Sequence, residues 1–214
     1  MKKIIALSLC LILALSLCAC GGAKEDLTGK WTANINMAAA FNQEMAATDP
    51  MMAEYISVDT FNLPLVLELK EDGTYTMTVD IVAMEASMST LAEDMTAGLE
   101  AYFAAVFAEQ GLDMDVNEAL SAMGMDLDTL VEELTTELSA AFTSEEAFGS
   151  FVSEGKYKAE KGKLHMTETL DEVINPAVYN TYTLDGDTLT LEQGTEELEE
   201  GAEIMFPMVL TRSK

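Results

Sequence analysis

Two periodicities divide this chain, and their order along it constrains the fold more than any single residue does. From Gly29 the side chains alternate, with Trp31, Ala33, Ile35 and Met37 on one face. Strand character continues over Phe61–Lys70 and Thr74–Val79, on either side of the turn Lys70-Glu71-Asp72-Gly73. A period of two marks half-buried strands, and a polar, glycine-bearing turn between them marks a hairpin. After Phe151 the alternation returns. Gly155–Ala159 and Lys163–Thr167 flank Glu160-Lys161-Gly162, and Tyr179–Leu184 and Thr188–Gln193 flank Asp185-Gly186-Asp187. Asp185-Gly186 is the strongest hairpin signal in the chain, and an apolar segment, Ile204–Thr211, closes it. About seven or eight strands joined by hairpins in sequence order predict an up-and-down antiparallel barrel or a strongly curled sheet.

Between these two regions the spacing changes. Over residues 84–150 Met84, Met88, Leu91, Met95, Leu99, Tyr102, Phe103, Val106 and Phe107 recur at three and four residues, which predicts one face of a helix ending near Gly111. A shorter segment follows at Val116–Met123, then a further helix carrying Leu127, Leu130, Val131, Leu134, Leu138 and Phe142. Gly111 and Gly124 suit helix C-termini, Asp113 or Asp115 and Asp126 suit N-caps, and Thr143 with Glu146 fits a capping box for another short helix. Ala38–Ala47 is helix-compatible too, with a break at Asp49-Pro50 and a helical turn over Met51–Ile56. The fold class expected is therefore α+β: an antiparallel barrel or curled sheet over residues 29–214, interrupted by a large helical insertion at 84–150.

The first residues have a different grammar. Lys2 and Lys3 precede an apolar run from Ile4, and Leu17-Cys18-Ala19-Cys20 is followed by Gly21-Gly22. A basic start, a short apolar core and small residues at its exit make a secretory signal peptide over residues 1–19. Leu17 to Cys20 resembles the lipobox of bacterial lipoproteins. The resemblance implies cleavage after Ala19 and thioether lipidation of Cys20, anchoring the protein to the outer face of a cell membrane, with residues 20–28 as lipidated cysteine and short linker. Residues 21–214 contain no cysteine, so disulfides, thiolate metal sites and a cysteine nucleophile are excluded there.

Residues 20–214 carry nine basic and 38 acidic side chains, a net charge of −29. Nucleic acid is not expected as a partner, since phosphate contacts need clustered Lys and Arg. The composition likewise offers no basic patch for anionic headgroups, so covalent lipid is expected to do the anchoring. Acidity of this kind keeps a crowded, tethered domain soluble and self-repelling, and a monomer is expected.

Gly29-Lys30-Trp31 at the start of the first strand resembles the opening of the lipocalin superfamily, and Arg212 stands where that family places a cation against the tryptophan. The hairpins Asp72-Gly73-Thr74-Tyr75 and Leu184-Asp185-Gly186-Asp187-Thr188-Leu189 are similar to those of lipocalin-like domains in small Firmicutes lipoproteins. The likeness covers residues 27–80 and 153–212 and omits the helical insertion. It implies a barrel closed at one end by Gly29, Trp31 and Arg212.

Catalytic chemistry finds little support. His165, the one histidine, alternates with Leu164 and Met166 and is read as a surface-facing strand residue without ligand-spaced partners. No serine sits in a glycine-x-serine-x-glycine elbow. Asp113, Asp115 and Asn117 begin like a calcium loop, but Glu118 and Gly124 stand where glycine and glutamate belong. Glu196, Glu197, Glu199, Glu200 and Glu203 read as a solvated acidic loop. No enzymatic activity, metal or cofactor is expected. Methionines on the helical faces suit either core filling or a deformable cleft between insertion and sheet, lined by Trp31, Met77, Met88, Met95, Tyr102 and Phe103. The leading expectation is a binding module for an apolar or amphipathic small ligand under the insertion. The alternative is an envelope structural or protein-interaction lipoprotein without such a ligand.

Overall fold

The computed structural model describes residues 26–111, 115–143, 152–195 and 202–213. Eight strands form a closed antiparallel barrel: β1 (Gly29–Asn36), β2 (Asn62–Leu69), β3 (Thr74–Val79), β4 (Ser153–Glu160), β5 (Lys163–Met166), β6 (Asn180–Asp185), β7 (Thr188–Glu192) and β8 (Met208–Arg212). Each strand pairs with its neighbours in sequence, and β8 returns to β1 through Trp31 opposite Arg212 and Thr32 opposite Thr211. The alternating regions on either side of the helical block therefore belong to one sheet. The registers are staggered: a row of partners followed once around from Trp31 regains β1 about twelve residues further on. Stagger of this kind tilts the strands and widens the interior, which must then be filled by large side chains or by something else.

Local chemistry fixes the turns. Lys161 and Gly162 both have positive φ, 53° and 75°, as the two-residue loop between the paired Glu160 and Lys163 requires. At the β6–β7 hairpin the loop residues are Gly186 and Asp187, because Asp185 is still paired with Thr188. The turn is thus one residue later than the Asp-Gly signal suggests, with Gly186 supplying φ +58° at the first loop position. The last strand is shorter than its apolar run, since a 3-10 turn at Ala202–Met205 and the Phe206–Pro207 pair precede Met208. Proline has no N–H to give to a ladder.

Four α-helices complete the fold: α1 (Ala38–Thr48), α2 (Ile81–Glu109), α3 (Val116–Ala122) and α4 (Leu127–Thr143). The helix α2 starts three residues before Met84 because the Asp80 carboxylate accepts a hydrogen bond from the Ala83 N–H. Asp115 caps α3 through the Asn117 and Glu118 amides, and Asp126 bonds the Thr129 amide at the start of α4. Gly111 and Gly124 adopt φ +74° and +76° past α2 and α3. Residues 1–25, Asp113, Glu146 and Glu196–Glu200 lie outside the described residues, as does the side chain of Glu203.

The core has two parts. The first joins the inward faces of the strands, among them Trp31, Leu65, Leu67, Leu164, Leu189 and Leu210, to Met84, Met88, Leu91 and Met95 of α2. The second lies farther along α2 and gathers Leu99 and Phe107 with Ile56 and residues of α3 and α4. Gly98 permits the close approach of α2 to the connection between α1 and β2, because a Cβ there would lie 2.6 Å from Ile56 Cγ1 and 2.9 Å from Ile56 Cα. Among the described residues no helix is long and apolar enough to cross a membrane.

Candidate functional site

One end of the barrel is closed by the chain's own entry. Trp31 is fully buried and its indole Nε1 donates to the Leu27 carbonyl at 2.8 Å. The Arg212 guanidinium lies 4.1 Å above the indole ring centre and donates through Nη1 to Thr28 O at 2.5 Å and through Nη2 to Asp26 O at 3.0 Å. One planar fork thus covers an aromatic face and ties residues 26–28 across the barrel mouth. Gly29 belongs to this arrangement for a steric reason. Its φ is +120°, and a Cβ would lie 3.1 Å from Arg212 Nη1.

Beside this strap is a cleft of about 380 Å³ lined by Asp26, Leu27, Thr28, Glu71, Gly73, Tyr157, Lys158 and Ala159. Its walls carry both signs of charge. Hydrogen bonds from the Thr28 hydroxyl and amide, with a smaller contribution from Arg212, hold the Asp26 carboxyl below the usual carboxylate range. Burial pushes the Tyr157 hydroxyl above its ordinary value, and the carboxylates of Asp26 and Asp72 add to this. That hydroxyl donates to Lys70 O at 3.0 Å, which links β4 to the β2–β3 turn.

The opposite end is occupied by protein. Asp80 N–H donates to Pro64 O, and Asn62 N–H donates to Ser87 Oγ at 2.8 Å, so α2 leaves β3 and is bonded at once to the end of β2. Its buried face of Met84, Met88, Leu91 and Met95 then joins the barrel core. Of the six residues expected to line one cleft, Trp31, Met88 and Met95 are buried in that core and Met77 packs against it. Phe103 packs against the second cluster. Tyr102 is half-buried, edge-on to Tyr55 and Phe103 at 6.1 and 5.4 Å. The six are therefore divided between two packing centres.

The reading of His165 as surface-facing needs correction. The residue points out of the barrel, opposite to Leu164, yet is only 6% exposed. The chain between β5 and β6 folds back over it: its Nδ1 lies 2.9 Å from Val178 O, and the Tyr179 ring centre is 5.7 Å away. Nothing in the alternation signals that cover. Among the described residues no group of three His, Cys, Asp or Glu side chains could hold a metal ion.

Charge is distributed unevenly. The net acidity does not reveal where the few cations lie, and those described are not dispersed. Lys30, Lys70, Lys158, Lys161, Lys163 and Arg212 lie at or near strand ends and turns around the Trp31 rim, while Lys156, midway along β4, donates through Nζ to Glu172 O at 3.1 Å in the β5–β6 connection; residues 31–69, 71–155 and 164–211 contain neither lysine nor arginine. Sequence reasoning missed this because the residues are spread from position 30 to 212 and meet only through barrel closure.

No family model, curated protein or solved structure matches this chain.

Proposed function

We propose that the chain is a non-enzymatic lipoprotein of the bacterial envelope, anchored through Cys20 on the extracytoplasmic face, whose lipocalin-like barrel is a scaffold and whose helical insertion engages another envelope protein. The observation that carries this reading is the burial of Met84, Met88, Leu91 and Met95 in the same core as Trp31, Leu67 and Leu189. These side chains of α2 take up space at the helical end of the barrel, and on this reading recognition falls to the outside. The described part of the cap on the sheet is acidic: residues 81–111 and 115–143 hold twelve Asp and Glu and no Lys or Arg. Such a surface favours partners carrying complementary positive charge, with association weakening as salt rises. Cross-linking in intact cells through lysine-reactive and carboxylate-reactive reagents tests it. Recurrent capture of one envelope protein, lost when α2–α4 are charge-reversed, supports the reading, and repeated capture of none contradicts it.

A ligand-binding reading draws on a separate observation. Met77, Met84, Met88, Met95 and Met208 all contribute to or pack on the barrel core, and unbranched thioethers repack around foreign shapes. An apolar ligand would then enter by displacing part of α2. Native mass spectrometry of protein from its own host decides this: a co-purifying small molecule supports it, and a uniformly empty protein removes it.

A further inference from the structure

We propose that the Trp31 rim is the face this domain turns toward an anionic phospholipid bilayer, with the helical end directed away; the proposal rests on the reading that Cys20 carries the lipid. Two independent observations converge on that rim. The first is where the chain arrives. Asp26 and Thr28 are fastened across the rim by Arg212, and the six steps of chain from Cys20 to Asp26 span at most about 22 Å. The rim cannot lie far from an anchored Cys20.

The second is the distribution of charge. Six of the seven described cations lie at this end, the exception being Lys156 midway along β4, and Lys24 and Lys214 adjoin the rim segments in sequence. Local acids such as Glu68, Glu71, Asp72, Glu160 and Asp187 bring the rim close to neutrality, and Lys158 is paired with Glu160 at 2.6 Å. The rest of the molecule has no such balance. The twelve acids of the described residues 81–111 and 115–143 have no Lys or Arg within those segments. Charge is thus separated along the barrel axis, with the compensated end at the anchor. An anionic surface attracts lysines and repels carboxylates only within about a Debye length, near 8 Å at physiological salt. Upright, the domain presents Lys30, Lys70 and Lys161 to the headgroups. Lying down, it would press uncompensated carboxylates against them.

The test uses the full, lipidated protein in phosphatidylcholine vesicles with or without phosphatidylglycerol. Single fluorophores are attached at Asp187→Cys, in the rim turn, or at Val82→Cys, at the far end where α2 begins, and energy transfer to acceptors in the bilayer is read. On phosphatidylglycerol vesicles the Val82 site is expected farther from the bilayer by roughly 20 Å, the height of an eight-residue strand tilted near 45°. The combined variant K30E/K70E/K161E, and high salt with the unaltered rim, should narrow that gap. Trp31 emission reports that the variant barrel stays closed, and Lys→Gln at the same positions gives a milder series with the same direction. Equal distances for the two sites on anionic vesicles overturn the proposal, as does a gap indifferent to the charge variants. Mass spectrometry of the same preparation reads Cys20 separately: an unmodified cysteine overturns the anchoring itself, whereas lipidated protein with equal distances overturns only the orientation.

Discussion

Arg212→Ala removes four interactions at once, and their sum can be worked from the geometry. The guanidinium sits 4.1 Å over the indole of a fully buried tryptophan, a contact of about 1–2 kcal/mol in a partly desolvated setting. It also donates two charge-assisted hydrogen bonds, to Thr28 O and Asp26 O. Bonds to charged groups are individually stronger than neutral ones, but these carbonyls lie near the surface, and water replaces the lost donor in part. The Asp187 carboxylate, 4.0 Å from Nε and largely exposed, adds little. A total loss of about 2–4 kcal/mol follows, equivalent to roughly 5–15 °C in Tm for a chain of this length. Urea unfolding followed by the emission of Trp31, the sole tryptophan, measures the loss directly. Arg212→Lys should fall between, since an ammonium keeps the charge but cannot reach both carbonyls as a fork. Lys161→Ala, at an exposed turn, serves as the comparison and should change stability by less than about 0.5 kcal/mol. An Arg212→Ala protein as stable as Lys161→Ala would refute the claim that this residue holds the barrel mouth.

Other perturbations follow from the same packing. Leu91→Ala, at a fully buried site between α2 and the barrel, should cost about 3–5 kcal/mol in urea unfolding, whereas Met88→Leu should cost less than about 1.5 kcal/mol; equal costs would argue that the insertion does not fill the barrel. Gly98→Ala gains about 1 kcal/mol of helix propensity but drives its methyl into Ile56, so net destabilisation of about 1–3 kcal/mol is expected in urea unfolding, and Ile56→Ala should relieve only part of it in a double-mutant cycle because the Ile56 Cα and Cβ, 2.9 and 3.1 Å away, remain. The Tyr75 hydroxyl is pushed above its ordinary value chiefly by burial and donates to Thr167 O at 2.7 Å. Its folded-state value being raised, the stability it contributes is complete below pH about 10 and disappears as the pH climbs through the folded value. Tyr75→Phe should flatten that alkaline loss, and an unchanged slope above pH about 10 would contradict the assignment. At the acid end, Asp26 and Asp72 are held below the usual range first by their hydrogen bonds from Thr28 and Thr74. The stability they lend is present above pH about 4 and lost as pH falls through their folded values; Asp72→Asn should blunt the acid dependence seen in a pH series of urea midpoints.

What could be read from the chain, and what could not, divides along physical lines. The strands β1 to β4 and their turns were legible because alternation and a glycine at positive φ are local requirements, met at Gly73 and Gly162. The pairing of Trp31 with Arg212 was accessible through a resemblance, although 181 residues separate them. By contrast, the start of α2 was hidden: Ile81 and Val82 are apolar yet 50% and 77% exposed, so they obscure the cap at Asp80. The cover over His165 comes from a segment with no periodicity at all. The division of the supposed cleft into two packing centres was equally unreadable, because a helical stripe says which residues are buried and not which neighbour buries them. Charge segregation is the extreme case. A net of −27 is a sum over the chain, and only closure of β8 onto β1 converts scattered lysines into one rim.

That closure carries the whole account, and one cross-link tests it most directly. In a chain beginning at Gly21, which contains no cysteine, Thr32→Cys and Thr211→Cys place two thiols at directly paired positions of β1 and β8. Antiparallel partners lie within the Cα separation that a disulfide spans without backbone movement. Mild oxidation is predicted to give an intramolecular bond in nearly every molecule, with Trp31 emission unchanged, while Thr32→Cys with Thr190→Cys gives none. Failure of the first pair to close, or bonds formed only between molecules, would show that the two alternating regions do not share a sheet.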